Sequence, residues 1–279
     1  MERDEALREA MVAHLERTGI VRDPAVAAAL RAVPRHRFLP DAALEEAYAD
    51  RAIAIKVEHG EILSSISQPG MIGLMLDLLA PHLGDRILEI GTGSGYHAAL
   101  LAELAGPHGS ITTTDLDGEL AARARATLAE LGYRNIRVLV ADGGREIAHE
   151  TPFDRVVVTA RSDDIAAAWW HALAANARLV VPLRLEAAGE YAIGFVRRDH
   201  CLQSVGLHPC AFLALRGDAA SSGTTDIFYR DPGQRKWMAH VRRVSEVVAV
   251  QRERATPALL DEADIVIARP VTLFGVRFS

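Results

Sequence analysis

An α/β fold with a doubly wound parallel sheet is predicted by three observations. A short apolar run, Ile87, Leu88 and Ile90, leads directly into Gly91-Thr92-Gly93-Ser94-Gly95 and then into an Ala/Leu-rich helical pattern. Strand, glycine turn and helix in that order open such sheets. Strand and helix patterns then alternate: helix 96–105, strand 110–115, helix 118–131, strand 136–140, strand 154–159, helix 163–175 and strand 177–182. Alternation of this kind builds a parallel sheet covered on both faces. Finally, 279 residues, 49% of them hydrophobic and 24% charged, leave ample material for a sizeable core.

Before the sheet the chain reads as helical. Ala6, Leu7, Ala10, Met11 and Leu15 share one helical face. Asp23-Pro24 has the form of an N-cap followed by proline in the first turn, opening a helix over Ala25–Val33. Pro34 and Pro40 bracket a turn holding Arg35, His36, Arg37 and Phe38, a basic segment that is either solvated surface or an attractor for an acidic peptide. A short helix is expected over Ala42–Tyr48. A polar, irregular stretch follows over Lys56–Gln68, ending in Ser64-Ser65-Ile66-Ser67-Gln68-Pro69, and a helix over Gly70–Leu79 leads into the first sheet strand.

Gly132 is a good stop for the helix before it. Past Pro182, Tyr191–Arg197 and Ser204–Leu215 read as a returning strand pair turned at Arg198-Asp199-His200. Gly217–Thr225 is small and polar, a loop or linker. Trp237, Met238, Val241, Val244 and Val248 stand at helical spacing within Gln234–Gln251, and Asp264–Phe278 is β-rich, either extending the sheet or pairing with a peptide edge. The expected division is an N-terminal helical region with an acceptor loop over 1–80, a ligand-binding core over 81–216 and a C-terminal α+β extension over 217–279.

A formal net charge of -6 argues against nucleic-acid partners, which select basic faces. Two cysteines, Cys201 and Cys210, make a disulfide framework improbable and fit reduced thiols in a cytoplasmic protein. The charged start MERDEALREA does not read as a secretion signal, and no apolar run is long enough to span a bilayer. The 11 histidines form no metal-ligand cluster, so no metal is expected.

Glycine spacing selects the ligand. A dinucleotide fingerprint places glycines at the first, third and sixth positions. Here Gly91, Gly93 and Gly95 occupy the first, third and fifth, Tyr96 takes the sixth, and no Lys-Ser/Thr pair follows to grip a phosphate. The acid Glu89 precedes the turn. A tight G-x-G-x-G turn after an acid resembles the first motif of S-adenosylmethionine-dependent methyltransferases, and this makes Glu89, Gly91, Thr92, Gly93, Ser94, Gly95 and Tyr96 candidate cofactor-binding residues. Asp115, at the end of the second strand, stands about two dozen residues after Gly91, where an acid takes ribose hydroxyls. A carboxylate suits a diol because it accepts two hydrogen bonds. Asp142-Gly143 ends the third strand, and Asp142 is placed to accept from an adenine amino group; Leu116 completes the candidate set. Either acid alone reads as an ordinary cap carboxylate, but two at successive strand ends after a glycine turn point to a nucleoside.

Further motifs are more selective. VPRHRFLP (33–40), EEAYADRAI (45–53), SISQP (65–69), ILEIGTGSGYHAALLAEL (87–104), ADG (141–143), TPFDRVVVTA (151–160) and RLVVPL (178–183) occur in order. Together they resemble the protein-L-isoaspartate O-methyltransferase family over roughly residues 5–215. The resemblance implies a Rossmann-like methyltransferase sandwich, S-adenosyl-L-methionine as cofactor with S-adenosyl-L-homocysteine as product, and methyl transfer to a side-chain carboxylate of a peptide or protein. It implies that Ser67 orients the acceptor carboxylate, with Ser65 and Ile66 lining the same edge. Such a carboxylate is already ionised at neutral pH, so no strong general base is needed.

The chain departs from the family pattern in places. The loop before SISQP is two residues longer, T-A-A is Thr159-Ala160-Arg161, G-G-R-L-V is Asn176-Ala177-Arg178-Leu179-Val180, Arg184 follows Pro182-Leu183, and a family glutamine is Glu190. These departures, with the extension beyond Leu215, look like the branch that methylates aspartate in one dedicated ribosomal peptide, whose ester collapses to a succinimide. Arg161 and Arg184 are then candidate peptide clamps. Isoaspartyl repair and dedicated aspartyl modification both stay open, as do a nicotinamide-dependent oxidoreductase and a non-catalytic S-adenosylmethionine-binding regulator.

Overall fold

The computed structural model describes residues 2–144, 152–185, 189–198, 201–217, 226–230, 237–240 and 265–268. Helix α1 (Arg3–Arg17) is followed by α2 (Pro24–Ala32), whose N-cap Asp23 accepts the Ala25 N–H at 2.8 Å. Pro34 to Pro40 encloses a single 3-10 turn, Arg35–Phe38, and α3 (Leu44–Ala47) is one turn long.

The stretch expected to be irregular is a β-hairpin, β1 (Ile53–Glu58) and β2 (Glu61–Ile66), paired antiparallel. Its connection is His59-Gly60, with φ of 51° and 83°. Two successive positive φ values give the primed turn whose twist matches paired strands. Ile53, Ile55 and Val57 supply the alternation that goes with it.

Helix α4 (Pro69–Leu79) leads to β3 (Arg86–Ile90), and α5 (Tyr96–Ala105), β4 (Ser110–Asp115), α6 (Gly118–Glu130), β5 (Ile136–Val140) and β6 (Phe153–Val158) follow. The helix expected over 163–175 shrinks to α7 (Ala167–Ala172). Arg161 and Ser162 form parallel bridges to Ala214 and Leu183, which holds the backbone extended before it. Strand β7 is correspondingly longer, Leu173–Leu185. It bulges where Asn176 takes a φ of 60°, a left-handed conformation that asparagine tolerates.

Strands β8 (Gly189–Arg198) and β9 (Cys201–Pro209) return antiparallel, as the sequence predicted, but β9 ends at Pro209 rather than at Leu215. Proline cannot donate to a ladder. Strands β10 (Asp226–Arg230), β11 (Trp237–His240) and β12 (Ile265–Ala268) continue the sheet from β9. Trp237–His240 is therefore strand, not helix, with Arg230 opposite Trp237 and Ile227 opposite His240. The remainder of the helical pattern over 234–251, the linker from 218 to 225 and most of 264–278 lie outside the described residues.

The main sheet runs β11-β10-β12-β9-β8-β7-β6-β3-β4-β5, parallel from β7 to β5. Strand β3 carries Ile87 into the core beneath α1, α2, α4 and α5, and Leu88 and Ile90 into the core beneath α7. Burial on both faces explains why apolar residues on β3 point both ways, Ile87 to one side and Leu88 and Ile90 to the other. Strand order reverses between β3 and β6, and a crevice opens at the carboxyl ends of strands at such a point. Among the described residues no helix is long and apolar enough to cross a membrane.

Candidate functional site

A cavity of about 650 Å³ occupies that crevice. Its floor is the glycine turn. Gly91 has a φ of 102°, and a Cβ there would stand 2.3 Å from Thr159 Oγ1. Thr159, just past β6, donates its hydroxyl to the carbonyls of Ile90 (3.0 Å) and Gly91 (2.8 Å), locking the two strand ends together. Asp115 lines the cavity with one oxygen accepting the Gly93 N–H (2.9 Å) and the other the Asp117 N–H (3.0 Å). Each oxygen keeps a lone pair for a ligand. Leu116, 43% exposed, forms an apolar wall beside it. Asp142 and Gly143 also line the cavity. Asp142 accepts the Gly144 N–H at 2.9 Å, and the Gly143 carbonyl accepts Trp169 Nε1–H at 2.9 Å. A Cβ on Gly143 would lie 2.6 Å from Ile90 Cγ2, so this turn also requires glycine.

Other residues singled out in the glycine motif do not line the cavity. Glu89 is fully buried; Thr113 Oγ1 donates to it at 2.6 Å, and His97 Nδ1 lies 2.7 Å from its other oxygen. Thr92 Oγ1 lies 2.8 Å from Thr113 Oγ1 in the same network. Ser94 Oγ accepts the Tyr96 N–H at 3.4 Å, and Gly95 caps α5. Tyr96 is buried edge-on against Phe38. Burial pushes its hydroxyl up to about 12, against the pull of nearby Arg35. These residues underpin the turn.

The hairpin covers the turn. Ser64, Ser65 and Ser67 line the cavity, whereas Ile66 is buried away from it. Ser64 Oγ and Ile55 Cδ1 would each stand 3.7 Å from a Cβ on Gly93. Ser67 is half-buried, and its hydroxyl has no hydrogen-bond partner among the described residues. Lys56 fastens the hairpin to the start of α6, its Nζ 2.5 Å from Asp117 and 3.3 Å from Glu119, and 3.1 Å from Glu58 on its own strand. Its hydrogen bond holds the Asp117 carboxyl below the usual carboxylate range.

The opposite wall, Pro209–Arg216, had no motif to announce it. It leaves the sheet after β9, and Arg161 ties it down: Arg161 N–H donates to the Leu213 carbonyl and Leu215 N–H to that of Arg161, both at 2.8 Å. Cys210 sits in this wall, its thiol pushed up to about 12 by burial and by the Glu190 charge. Arg161 Nη1 pairs with Glu190 at 2.8 Å. The structure therefore joins two departures from the family pattern in one ion pair, and it brings neither Arg161 nor the exposed Arg184 to the cavity surface. Arg35, read as part of a basic surface turn, is 0% exposed. Among the described residues no cluster of His, Cys, Asp and Glu could hold a metal ion.

The family model for protein-L-isoaspartate(D-aspartate) O-methyltransferase matches residues 6–219. A protein-L-isoaspartate O-methyltransferase of Methanopyrus kandleri is 36% identical over 212 residues, covering 76% of this chain and 92% of that one. A solved structure of a protein-L-isoaspartate O-methyltransferase superposes with a TM-score of 0.70 at 25% identity, over 76% of this chain and 67% of that one. A Plasmodium falciparum protein solved with S-adenosyl-L-homocysteine shares the fold, with a TM-score of 0.63 at 19% identity over 75% of this chain and 98% of that one.

Proposed function

The chain belongs to the protein-L-isoaspartate (D-aspartate) O-methyltransferase family and is an S-adenosylmethionine-dependent carboxyl O-methyltransferase; we propose that this cavity holds cofactor and acceptor side by side. The observation that carries this reading is the set of side chains that meet in the cavity. Asp115, Leu116, Asp142 and the glycine turn line it from the strand ends, and Ser65 and Ser67 line it from the hairpin and the segment after it. The first set fits a nucleoside without phosphate: two carboxylates repel a phosphate, but they accept from hydroxyls and amino groups.

When bound, the cofactor supplies an electrophilic methyl on a sulfonium. Asp115 accepts the ribose hydroxyls, Asp142 accepts from the adenine amino group, and Leu116 packs on the base. Gly91 and Gly93 let the backbone approach without a Cβ in the way. Ser67 donates its hydroxyl hydrogen to one oxygen of the acceptor carboxylate and so aims the other at the methyl. The acceptor, with an ordinary carboxylic pKa near 4, is already an anion at neutral pH. The protein's work is alignment and exclusion of water by the hairpin and the 209–216 wall. In the resulting ester the neighbouring backbone nitrogen attacks the ester carbonyl, its C–O bond breaks, and methanol leaves with the amide proton. A succinimide remains.

We assign L-isoaspartyl peptides and proteins as acceptors. A net charge of -6 disfavours nucleic acid and is compatible with a cytoplasmic setting. The test is transfer of labelled methyl to two matched peptides, one isoaspartyl and one aspartyl. Labelling of the isoaspartyl peptide alone is expected. Labelling of neither, with S-adenosyl-L-homocysteine still bound tightly, overturns the assignment and favours a dedicated precursor peptide.

A further inference from the structure

We propose that Arg35 and Asp50 are positioning residues that clamp the chain at Ser67 and directly after it; this rests on the reading that Ser67 meets the acceptor carboxylate. Three motifs, VPRHRF, AYADR and SISQP, are far apart in sequence and meet in this clamp. Arg35 is fully buried. Its Nε donates to the Ala47 carbonyl and its Nη2 to the Ser67 carbonyl, both at 2.9 Å. The guanidinium carbon lies 5.0 Å from the centroid of the Tyr96 ring. Asp50 acts on the residues that follow the serine. One of its oxygens accepts the Gly70 N–H at 2.7 Å, and the other accepts Gln68 Nε2–H at 3.0 Å. A Cβ on Gly70 would lie 3.1 Å from both oxygens, so glycine there permits this approach.

The arrangement is costly as pure scaffolding. An arginine does not shed its proton, and burying its charge is expensive unless it is paired. Among the described residues Arg35 has no ion-pair partner, and its Nη1 has no hydrogen-bond partner. Burial lowers its pKa, and Tyr96, then Asp50 and Tyr48, work in the opposite direction. The planar fork is suited to this place because it reaches two carbonyls at once in fixed directions, which a lysine cannot. Helix α4 has no side-chain cap from its own N-cap residue, Gln68, and Asp50 supplies the missing acceptor from outside. The chain leaving Ser67 is therefore held twice, by a cation at the Ser67 carbonyl and by an anion at the next turn, and the Ser67 hydroxyl is left for a ligand.

Reacting atoms misplaced by 1 Å can cost about 100-fold in rate. Arg35→Lys and Asp50→Ala are expected to lower kcat on an isoaspartyl peptide by about 10-fold to 100-fold, with S-adenosyl-L-homocysteine affinity by calorimetry kept within about twofold. Arg35→Met is expected to lose more activity than Arg35→Lys, which keeps a charged donor nitrogen but not the planar fork. Amide hydrogen exchange of the intact protein gives a readout independent of activity. Faster exchange over 64–72, with 96–105 unchanged, is expected in all three variants.

Unchanged exchange overturns the clamp. Faster exchange with unchanged kcat overturns its positioning role, and a parallel loss of cofactor affinity reduces it to general scaffolding. If the wild-type protein methylates no carboxylate, the functional reading fails, and the exchange data still decide whether the clamp exists.

Discussion

Asp115 accepts the backbone N–H of Gly93 at 2.9 Å, so the acid that ends β4 and the glycine turn that follows β3 are one unit. Its second oxygen holds the Asp117 N–H, which sets the start of α6. The carboxylate thus shapes the turn while facing the cavity.

Replacing Asp115 by alanine removes both backbone anchors and the carboxylate itself. A hydrogen bond to a charged group is worth about 1.5–3 kcal/mol, so S-adenosyl-L-homocysteine affinity is expected to fall at least about tenfold by calorimetry. Asp115→Asn, which keeps one acceptor oxygen, is expected to lose less.

Ser67→Ala separates the acceptor role of the cavity from its cofactor role. Loss of one orienting hydrogen bond to a carboxylate is expected to lower kcat by about tenfold to a hundredfold, leaving cofactor affinity unchanged. Steady-state methylation of an isoaspartyl peptide, set beside calorimetry with S-adenosyl-L-homocysteine, reads both quantities.

Gly143→Ala places a methyl 2.6 Å from Ile90 Cγ2 and 3.0 Å from Thr114 Oγ1, inside the sheet rather than at a flexible chain end. Overpacking of this kind costs about 1–3 kcal/mol. A lower urea midpoint at unchanged slope is expected, together with weaker cofactor binding.

The contact between Lys56 and Asp117 gives a pH signature. The Asp117 carboxyl is held below its ordinary value. Its contribution is therefore complete above the usual Asp range and is lost as pH falls through the lowered folded value. Lys56 is raised, so its own contribution is lost only well into the alkaline range. The difference in Tm between wild type and Lys56→Met is expected to hold constant between about pH 5 and 8 and to shrink below about pH 4. A difference that persists in acid would show that the ion pair does not tether the hairpin.

The sheet, its order of elements and the two acids at strand ends were legible in the sequence because each has a local signature. A buried strand is a run of apolar residues, and a glycine turn is a spacing. The hairpin over the site was hidden by its polar second strand, although Ile53, Ile55, Val57 and the His59-Gly60 turn carried its pattern. Arg35 looked like surface because a lone arginine gives no local sign of the two carbonyls, 12 and 32 residues on, that bury it. Arg161 and Glu190 each read as a departure with a separate meaning; they offset each other only once β8 brings them within 2.8 Å. Asn176 was legible in retrospect, since a φ of 60° can be met by asparagine where a relative has glycine.

The wall at Pro209–Arg216 completes a cavity whose floor begins at Gly91 and whose cover begins at Ala52. Synthesis proceeds from the N-terminus, and domains fold as units as the chain emerges. A nascent chain can assemble the glycine turn and the strands beside it long before residue 209 has left the ribosome, but it cannot close the cavity. The cavity is therefore complete only once the chain has passed β9.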